Sequence, residues 1–344
     1  MEKFDKTKQM VVDSSDNNMK NTNKFAGVFR KIFSLKEIGV LIALIILIIT
    51  LSIATPNFFT ATNLLSVSKQ MSLVAIIGVG MTFLIITREF DLSVGSILGL
   101  TGIVTALMVK NFGVNIWIAV FAGIVVGALA GLINGLLTTK VGIPSFIVTL
   151  GMLSVLRGLA LVFSQGWPIS NLPPSAFGSL FSGEAFGKIP AQTFWMAGLL
   201  IIAAVILSRS VYGYKVYITG SNPKAARLSG INTDRIKIIN FIIVGTLAGF
   251  AGMLSLSHLN SVSPLTGGGL ELDVIAAVVI GGTALMGGSG TILGTFLGAA
   301  IISMVRNGLV LLGVSAYWHE MVIGLVILTA VTIDAQLNRR KRVV

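Results

Sequence analysis

Residues 38–54 read IGVLIALIILIITLSIA, a run of seventeen residues with no charged side chain. A helix of about 20 apolar residues crosses the hydrocarbon core of a bilayer, because each residue adds about 1.5 Å to its length. Nine more apolar segments follow, so the sequence predicts an all-α polytopic membrane protein. The ten predicted transmembrane helices lie at about 38–54, 71–87, 92–110, 116–138, 143–163, 193–208, 238–258, 272–286, 289–313 and 319–335.

The overall composition agrees with a membrane location. Of the 344 residues, 54% are hydrophobic and only 11% are charged, and the mean hydropathy is +0.91. Soluble domains are about one quarter charged, so much of this apolar surface needs the bilayer as its solvent. The chain has no cysteine, which excludes disulfides, thiol catalysis and cysteine metal sites. Its two histidines, His258 and His319, are too few and too far apart to indicate a metal centre.

The distribution of charge predicts the orientation of the chain in the membrane. Residues 1–37 carry eight basic and five acidic side chains and lack the features of a secretory signal, so we predict a disordered, basic cytoplasmic tail. The transmembrane domain is predicted at 38–335, and a second basic tail at 336–344. The loop 209–237 has six basic residues and one acidic residue, Asp234. Because basic residues collect on the cytoplasmic side, this loop and both termini are predicted there, as ten spans allow. The net charge of +12 therefore fits a membrane surface better than nucleic acid.

Two acidic sequences interrupt the apolar pattern. Residues 90–93 (FDLS) lie between the second and third predicted spans, and residues 270–273 (LELD) lie between the seventh and eighth. A displacement of five spans would invert the second copy relative to the first, an arrangement that many transporters share. This weak likeness is the basis for the hypothesis of an inverted five-helix repeat.

The first interruption, residues 87–96 (TREFDLSVGS), has two interpretations. It is either a short cytoplasmic turn followed by a capped helix, or a broken helix whose freed backbone lines a polar cavity. Arg157, in the fifth span, and Arg306, in the ninth, either extend to the interface or face the pathway. The residues predicted to contribute to a substrate pathway are Asp91, Ser93, Ser96, Arg157, Glu271, Asp273 and Thr283.

Two further patterns concern packing and docking. Gly123, Gly127 and Gly131 recur every four residues, which predicts close helix packing. In the basic loop, a turn at Asn222-Pro223 should start a short helix over 224–228, which Gly230 should end. An exposed short helix is either a docking element for a partner or a basic anchor to lipid headgroups. The residues of this candidate docking segment are Asn222, Pro223, Ala226, Arg227 and Gly230.

Three of these motifs resemble a known family. They are residues 80–96, with GMT at 80–82 and DLSVGS at 91–96, residues 220–232 (GSNPKAARLSGIN) and residues 271–283 (ELDVIAAVVIGGT). In this order they resemble the ribose-type permease subunits of ABC sugar importers, over about residues 38–335. That family also includes permeases for other pentoses, for hexoses and for autoinducer-2. The pair Arg88-Glu89 departs from the resemblance, since ribose permeases tend to have smaller, uncharged residues there.

The resemblance implies a type II-like ABC importer permease that translocates a sugar by alternating access. It implies a second permease subunit, two ATP-binding cassette subunits docked at the loop 209–237, and an extracytoplasmic sugar-binding protein. The chain has no G-x-x-x-x-G-K-[ST] sequence for phosphate binding, so ATP would be bound by the partner, with no cofactor or metal in this chain. The alternative is an ion-coupled secondary transporter with Glu89, Asp91, Glu271 and Asp273 as proton or cation sites. A membrane-embedded enzyme is disfavoured, because no acid–base or metal constellation stands out.

Overall fold

The computed structural model describes residues 35–173, 175–185 and 189–342. Almost all of the predicted tail at 1–37 lies outside these residues. The helices of the described part are α1 (Leu35–Ala54), α2 (Ala61–Ile86), α3 (Val94–Lys110), α4 (Ile116–Leu136), α5 (Ser145–Ser164), α6 (Ala176–Ser182), α7 (Ala191–Arg209), α8 (Val211–Ser221), α9 (Pro223–Leu228), α10 (Thr233–Leu259), α11 (Leu270–Ile280), α12 (Ile292–Leu311) and α13 (His319–Arg342). A π-helical turn (Leu137–Val141) extends α4, and a 3-10 turn (Ala316–Trp318) precedes α13. Four two-residue strands are β1 (Ile169–Ser170), β2 (Glu184–Ala185), β3 (Ile189–Pro190) and β4 (Ser261–Val262).

Each of the ten predicted spans corresponds to one of these helices, which confirms the all-α polytopic fold. Seven helices in the described part of the chain are long and apolar enough to cross a membrane, namely α1, α2, α4, α5, α7, α10 and α12. The spans in α2 and α12 are mostly buried within the chain, whereas those in α1, α5 and α7 are less than one third buried. Helices α2 and α12 therefore belong to the interior, and α1, α5 and α7 present apolar surface to the bilayer.

The predicted span at 272–286 is wrong in its extent. Helix α11 ends at Ile280 after 11 residues, a length of about 16 Å, whereas the hydrocarbon core is about 30 Å thick. Gly281 ends the helix, and Gly282 follows with a φ of 89°. Residues 281–291 follow as a loop instead of continuing the helix, so α11 is a half-helix. At the other end of the chain, α13 continues to Arg342 and includes most of the predicted tail at 336–344.

A non-helical segment leads into α11 along the side of α3. A Cβ at Gly102 would lie 2.9 Å from the Val262 side chain, and one at Gly99 would lie 2.8 Å from the Thr266 carbonyl oxygen. The segment 262–267 therefore runs antiparallel to α3 over about two helical turns. Arg157 of α5 holds it there by donating to the carbonyls of Pro264 (2.6 Å) and Thr266 (2.9 Å). Neither interpretation of Arg157 given above is complete, since its role is to hold this segment.

The predicted glycine packing is confirmed. Helix α4 crosses α10 so closely that a Cβ at Gly131 would lie 2.8 Å from the Phe241 carbonyl carbon. A Cβ at Gly127 would lie 3.2 Å from the Gly249 Cα, and one at Gly245 would lie 3.0 Å from the Gly131 nitrogen. Small residues on both helices let the backbones meet, which is the usual way in which membrane helices pack without large side chains.

The bundle has two ends that differ in charge. We call the end that carries residues 209–237 the basic end. The opposite end carries β1 and β4, which pair antiparallel with Ile169 facing Val262. Helix α2 runs from the opposite end to the basic end and α3 runs back, so the break between them at 87–93 lies at the basic end. The loop 281–291 after α11 lies there too, because the Gly288 N–H donates to the carbonyl of Ile86.

Candidate functional site

Asp91 lies at the basic end and is fully buried. Its Oδ1 accepts hydrogen bonds from the Ser93 backbone N–H (2.8 Å) and hydroxyl (2.6 Å), and its Oδ2 accepts from the Asn134 amide (3.0 Å). The bond to the N–H two residues ahead makes a turn that leads into α3, whose own N-cap is Ser93. This geometry favours the interpretation of residues 87–96 as a structured turn over a broken helix that lines a cavity.

Replacing Asp91 with alanine should destabilise the protein by about 2–5 kcal/mol, because buried donors on Ser93 and Asn134 lose their acceptor. Asp91→Asn should cost less. Its amide oxygen can still accept from Ser93, and the Asn134 Oδ1, which is buried without a partner, can turn to accept from the new amide. The measurement is the thermal unfolding midpoint of the purified protein in detergent. Equal losses in the two variants would show that the charge itself is needed.

Arg88 and Glu89 join this break to the candidate docking segment. Arg88 donates to the carbonyls of Gly220 (2.6 Å) and Ser221 (2.9 Å), the last residues of α8. Glu89 forms an ion pair with Lys237 of α10. Arg88 and Glu89, the pair that departs from the ribose-type pattern, therefore connect the break between α2 and α3 to α8 and α10 at the basic end.

The loop after α11 completes the same contact, which we call the junction. The Gly288 N–H donates to the Ile86 carbonyl at 2.9 Å, and the Tyr217 hydroxyl donates to the Gly290 carbonyl at 2.7 Å. Burial, and then the charge of Glu37, raise the pKa of the Tyr217 phenol, so it remains a donor. A Cβ at Gly220 would lie 2.7 Å from the Gly288 nitrogen, so only glycine fits there. The junction thus brings together residues 86–89, 217–221 and 287–290.

The predicted helix in the basic loop is confirmed as α9. The Asn222 side chain accepts from the Ala225 N–H at 3.0 Å, Pro223 is the first helical residue, and Gly230 follows with a φ of 78°. Ala226 is buried and fixes α9 to its own chain, so it is not part of an exposed docking surface. Leu228, in contrast, is 92% exposed.

Arg227 turns back towards α10. It donates to the Thr233 hydroxyl (2.7 Å) and pairs with Asp234 (2.9 Å). The large apolar side chain of Leu228, exposed on a capped helix, is suited to enter a pocket of a partner protein.

A cavity of about 270 Å³ lies between α2, α3, α12 and the segment before α11. Its polar lining combines side chains from four helices with the backbone of residues 266–268. The residues that line it are Gln70, Leu73, Val74, Leu98, Ser255, Thr266, Gly267, Gly268, Leu270, Asp273, Ile302, Ser303 and Arg306. A second cavity of about 250 Å³ shares Gln70, Leu73 and Ser255 with it and extends past Gln192 to Lys69 and His258. The two cavities adjoin at these shared residues, and together they extend from Lys69 and His258 near the opposite end to Asp273.

Asp273 and Arg306 face each other in the first cavity. Arg306 Nε donates to Asp273 Oδ2 at 2.7 Å, and its Nη2 donates to Oδ1 at 2.9 Å. The same Nη2 reaches Glu320 of α13 at 3.2 Å. The pathway interpretation of Arg306 is therefore favoured over extension to the interface.

The other predicted pathway residues lie elsewhere. Ser93 and Ser96 are buried at the start of α3, and Thr283 is buried against Gly290 in the loop after α11. Glu271 accepts from the Gly269 N–H at 3.3 Å and lies against Gly95. Of the seven predicted residues, Asp273 alone is among the described residues that line the cavity.

Sequence reasoning missed Gln70, Ser255, Thr266 and Ser303. Each lies in or beside a largely apolar helix, where serine and threonine also occur for packing. The faint signal is the spacing of Ser303 and Arg306, which places them on one face of α12. Within the described residues, no group of three or more His, Asp or Glu side chains could hold a metal ion.

Comparison with known proteins agrees with this architecture. Residues 63–331 match the family described as the permease component of a branched-chain amino acid transport system. The ribose import permease protein RbsC of Escherichia coli (strain K12) is 44% identical over 298 residues, which cover 86% of this chain and 92% of the relative. The same-named protein of Bacillus subtilis (strain 168) is 41% identical over 300 residues, covering 87% and 93%. The autoinducer 2 import system permease protein LsrC of Photorhabdus luminescens is 35% identical over 304 residues, covering 88% and 91%.

No solved structure matches this chain significantly. The names of these relatives describe transport permeases rather than enzymes, in agreement with the predicted class. The match spans almost all of the described helices, from the start of α2 into α13. The resemblance drawn from the three motifs is therefore confirmed, and the chain belongs to this family of multi-pass membrane permeases.

Proposed function

We propose that this chain is the transmembrane permease subunit of an ATP-driven ABC importer that moves a sugar or sugar-like solute across the bacterial cytoplasmic membrane. The observation that carries the proposal is the identity of 44% to a ribose import permease over 92% of that protein. The two adjoining cavities support it, because Gln70, Ser255, Ser303 and the backbone of residues 266–268 offer amide, hydroxyl and backbone groups to a small hydroxylated solute.

The basic end is cytoplasmic in this proposal, together with both termini, and the opposite end receives solute from an extracytoplasmic sugar-binding protein. A second permease subunit pairs with this one, and two ATP-binding subunits dock at α9. ATP is bound by those partners. The permease performs no covalent chemistry, and ATP binding shifts the balance between two conformations through contacts that differ between them. The transmembrane domain extends over 38–335, between a cytoplasmic tail at 1–37 and one at 336–344.

The geometry weighs against an ion-coupled secondary transporter. Of the four acidic residues proposed for that alternative, Glu89 is paired with Lys237 and Asp273 with Arg306. Asp91 accepts hydrogen bonds from Ser93 and Asn134. A carboxylate that carries protons or cations must release and rebind them in each cycle, and the partners of these three carboxylates compete with that exchange.

Leu228→Glu should reduce the co-purification of the ATP-binding partner with the permease, and ATP-dependent uptake of radiolabelled D-ribose by cells, by about tenfold or more, because an exposed apolar anchor is replaced by a charge. The matched control is Ser229→Glu, which adds the same charge one residue later on the same exposed segment. Ser229→Glu should retain most of the co-purification and most of the uptake. Wild-type levels of co-purification and uptake in Leu228→Glu would remove α9 as the docking element, and uptake that follows the proton gradient instead of ATP would favour the secondary transporter.

A further inference from the structure

The cavity contains one acidic and one basic side chain, and they neutralise each other. Among its described lining residues, Asp273 and Arg306 are the charged ones, joined by two nearly parallel hydrogen bonds of 2.7 and 2.9 Å. The Asp273 side chain is 5% exposed and that of Arg306 is 25% exposed. Glu320 also contacts Arg306, but its side chain is 59% exposed, so solvent screens its charge.

The two partners come from different helices that enclose the cavity. Asp273 lies in the first turn of the half-helix α11, where free backbone N–H groups and the helix dipole favour a carboxylate. Arg306 comes from α12, which packs along α11. A bidentate pair between two helices fixes both side chains in position and leaves some of their hydrogen-bonding groups free for another partner. The carboxylate oxygens can accept more hydrogen bonds, and the guanidinium has five N–H donors.

A buried hydroxyl beside the pair has no partner. Ser303 precedes Arg306 by three residues on the same helix, so it lies on the same face. It lines the cavity, is 2% exposed, and its Oγ makes no hydrogen bond. Buried polar groups in folded proteins are nearly always hydrogen-bonded, so this hydroxyl points to a partner that enters the cavity. A ligand group that both donates and accepts, such as a hydroxyl, suits it best.

We propose that the Asp273–Arg306 pair determines the specificity of this cavity for neutral, polyhydroxylated solutes. The carboxylate accepts from solute hydroxyl groups, the guanidinium donates to them, and Ser303 provides a third contact. Because each of the two charges already has its partner, a charged group on a solute gains no ionic contact in this cavity without displacing that partner. This inference rests on the proposed function, and it assigns the residues that recognise the solute.

The absence of cysteine provides a direct assay. A cysteine at position 255, where the two cavities join, would be the one thiol of the permease chain. The full-length Ser255→Cys permease is purified with its co-purifying partners into nanodiscs, and alkylation of the permease chain by N-ethylmaleimide is followed by mass spectrometry. The probes are D-ribose, its carboxylate analogue D-ribonate, its cationic analogue 1-amino-1-deoxy-D-ribitol, and the zwitterion L-valine.

In the Ser255→Cys parent, D-ribose should slow alkylation about tenfold at a concentration ten times its dissociation constant, and the three charged probes should not. Asp273→Asn, which leaves Arg306 without its carboxylate partner in the cavity, should shift protection to D-ribonate. Arg306→Gln should shift protection to 1-amino-1-deoxy-D-ribitol. The double variant Asp273→Asn/Arg306→Gln restores neutrality and should again prefer D-ribose. A loss of structure alone would lower protection by all probes together and could not produce these opposite shifts.

Asp273→Asn and Arg306→Gln change the charge of the cavity in opposite directions and test the proposal independently. If one of them misfolds, the other still provides the test. If both keep the preference of the parent, the pair is structural and the proposal is overturned. Protection of the parent by L-valine would overturn it as well. If cells take up D-ribose by ATP-dependent import but no sugar protects position 255, the inference fails while the proposed function stands. If cells with the intact gene import no sugar, the proposed function itself fails.

Discussion

Replacing Gly131 with leucine should prevent the chain from accumulating as a folded membrane protein. The new Cβ would lie 2.8 Å from the Phe241 carbonyl carbon and 3.1 Å from the Ile242 Cα, and both are backbone atoms that cannot turn aside. Helices α4 and α10 would have to separate along their whole crossing. Overpacking by side chains alone costs about 1–3 kcal/mol, and backbone contact costs more, against a total stability of about 5–15 kcal/mol.

The matched control is Gly158→Leu in α5. A Cβ at Gly158 meets nothing within 4 Å, and the span in α5 is largely exposed to the bilayer. The control should accumulate normally, because it makes the same chemical change in open space. Both variants are compared as fluorescent fusions by detergent size-exclusion chromatography and thermal unfolding. A Gly131→Leu protein with the yield and unfolding midpoint of the wild type would contradict the close crossing of α4 and α10.

Arg88→Gly should leave the partner ATPase bound but reduce ATP-dependent uptake by about tenfold or more, the equivalent of about 1.4 kcal/mol or more of lost coupling. Arg88 has a φ of 68°, a conformation that glycine adopts without strain. The substitution therefore removes the contacts to Gly220 and Ser221 without straining the backbone. The candidate docking segment then loses its side-chain link to the break between α2 and α3.

The matched control is Lys140→Ala, which removes another basic side chain at the basic end. Lys140 is 60% exposed and lies 3.9 Å from Asp234, so its ion pair contributes little. The control should retain uptake and ATPase activity. The expected signature of Arg88→Gly is ATP hydrolysis without matching solute import, measured on the same membranes. Uptake at the wild-type level would mean that the junction transmits movement through its backbone contacts alone.

The sequence predicted those parts of the fold that depend on local chemistry. Ten apolar segments predicted ten helices because a bilayer-spanning helix must be apolar over most of its length. Asn222, Pro223 and Gly230 predicted the bounds of α9, since capping and left-handed backbone conformations depend on residue type. The glycine spacing in α4 predicted close packing without naming α10 as the partner.

The features that the sequence did not predict depend on contacts between distant residues. The end of α11 at Ile280 is an exception, because Gly281 and Gly282 mark it locally, but the apolar residues on either side of them extended the predicted span to 286. Asp91 accepts a hydrogen bond from Asn134, 43 positions away in the sequence, and no local sequence pattern reveals that contact. The cavity combines polar residues from separate helices, and no local pattern in the sequence shows that the fold brings them together.

The short α11 has a consequence for the biosynthesis of this protein. Segments enter the bilayer one after another as they leave the ribosome, and a segment is released into lipid when its apolar length matches the membrane. With 11 residues, Leu270–Ile280 falls well below that length, and its first turn carries Glu271 and Asp273. It cannot be retained in lipid by itself. We therefore expect it to reach its place after α12 has been made and has brought Arg306 to Asp273, so that this part of the bundle assembles late, as a hairpin.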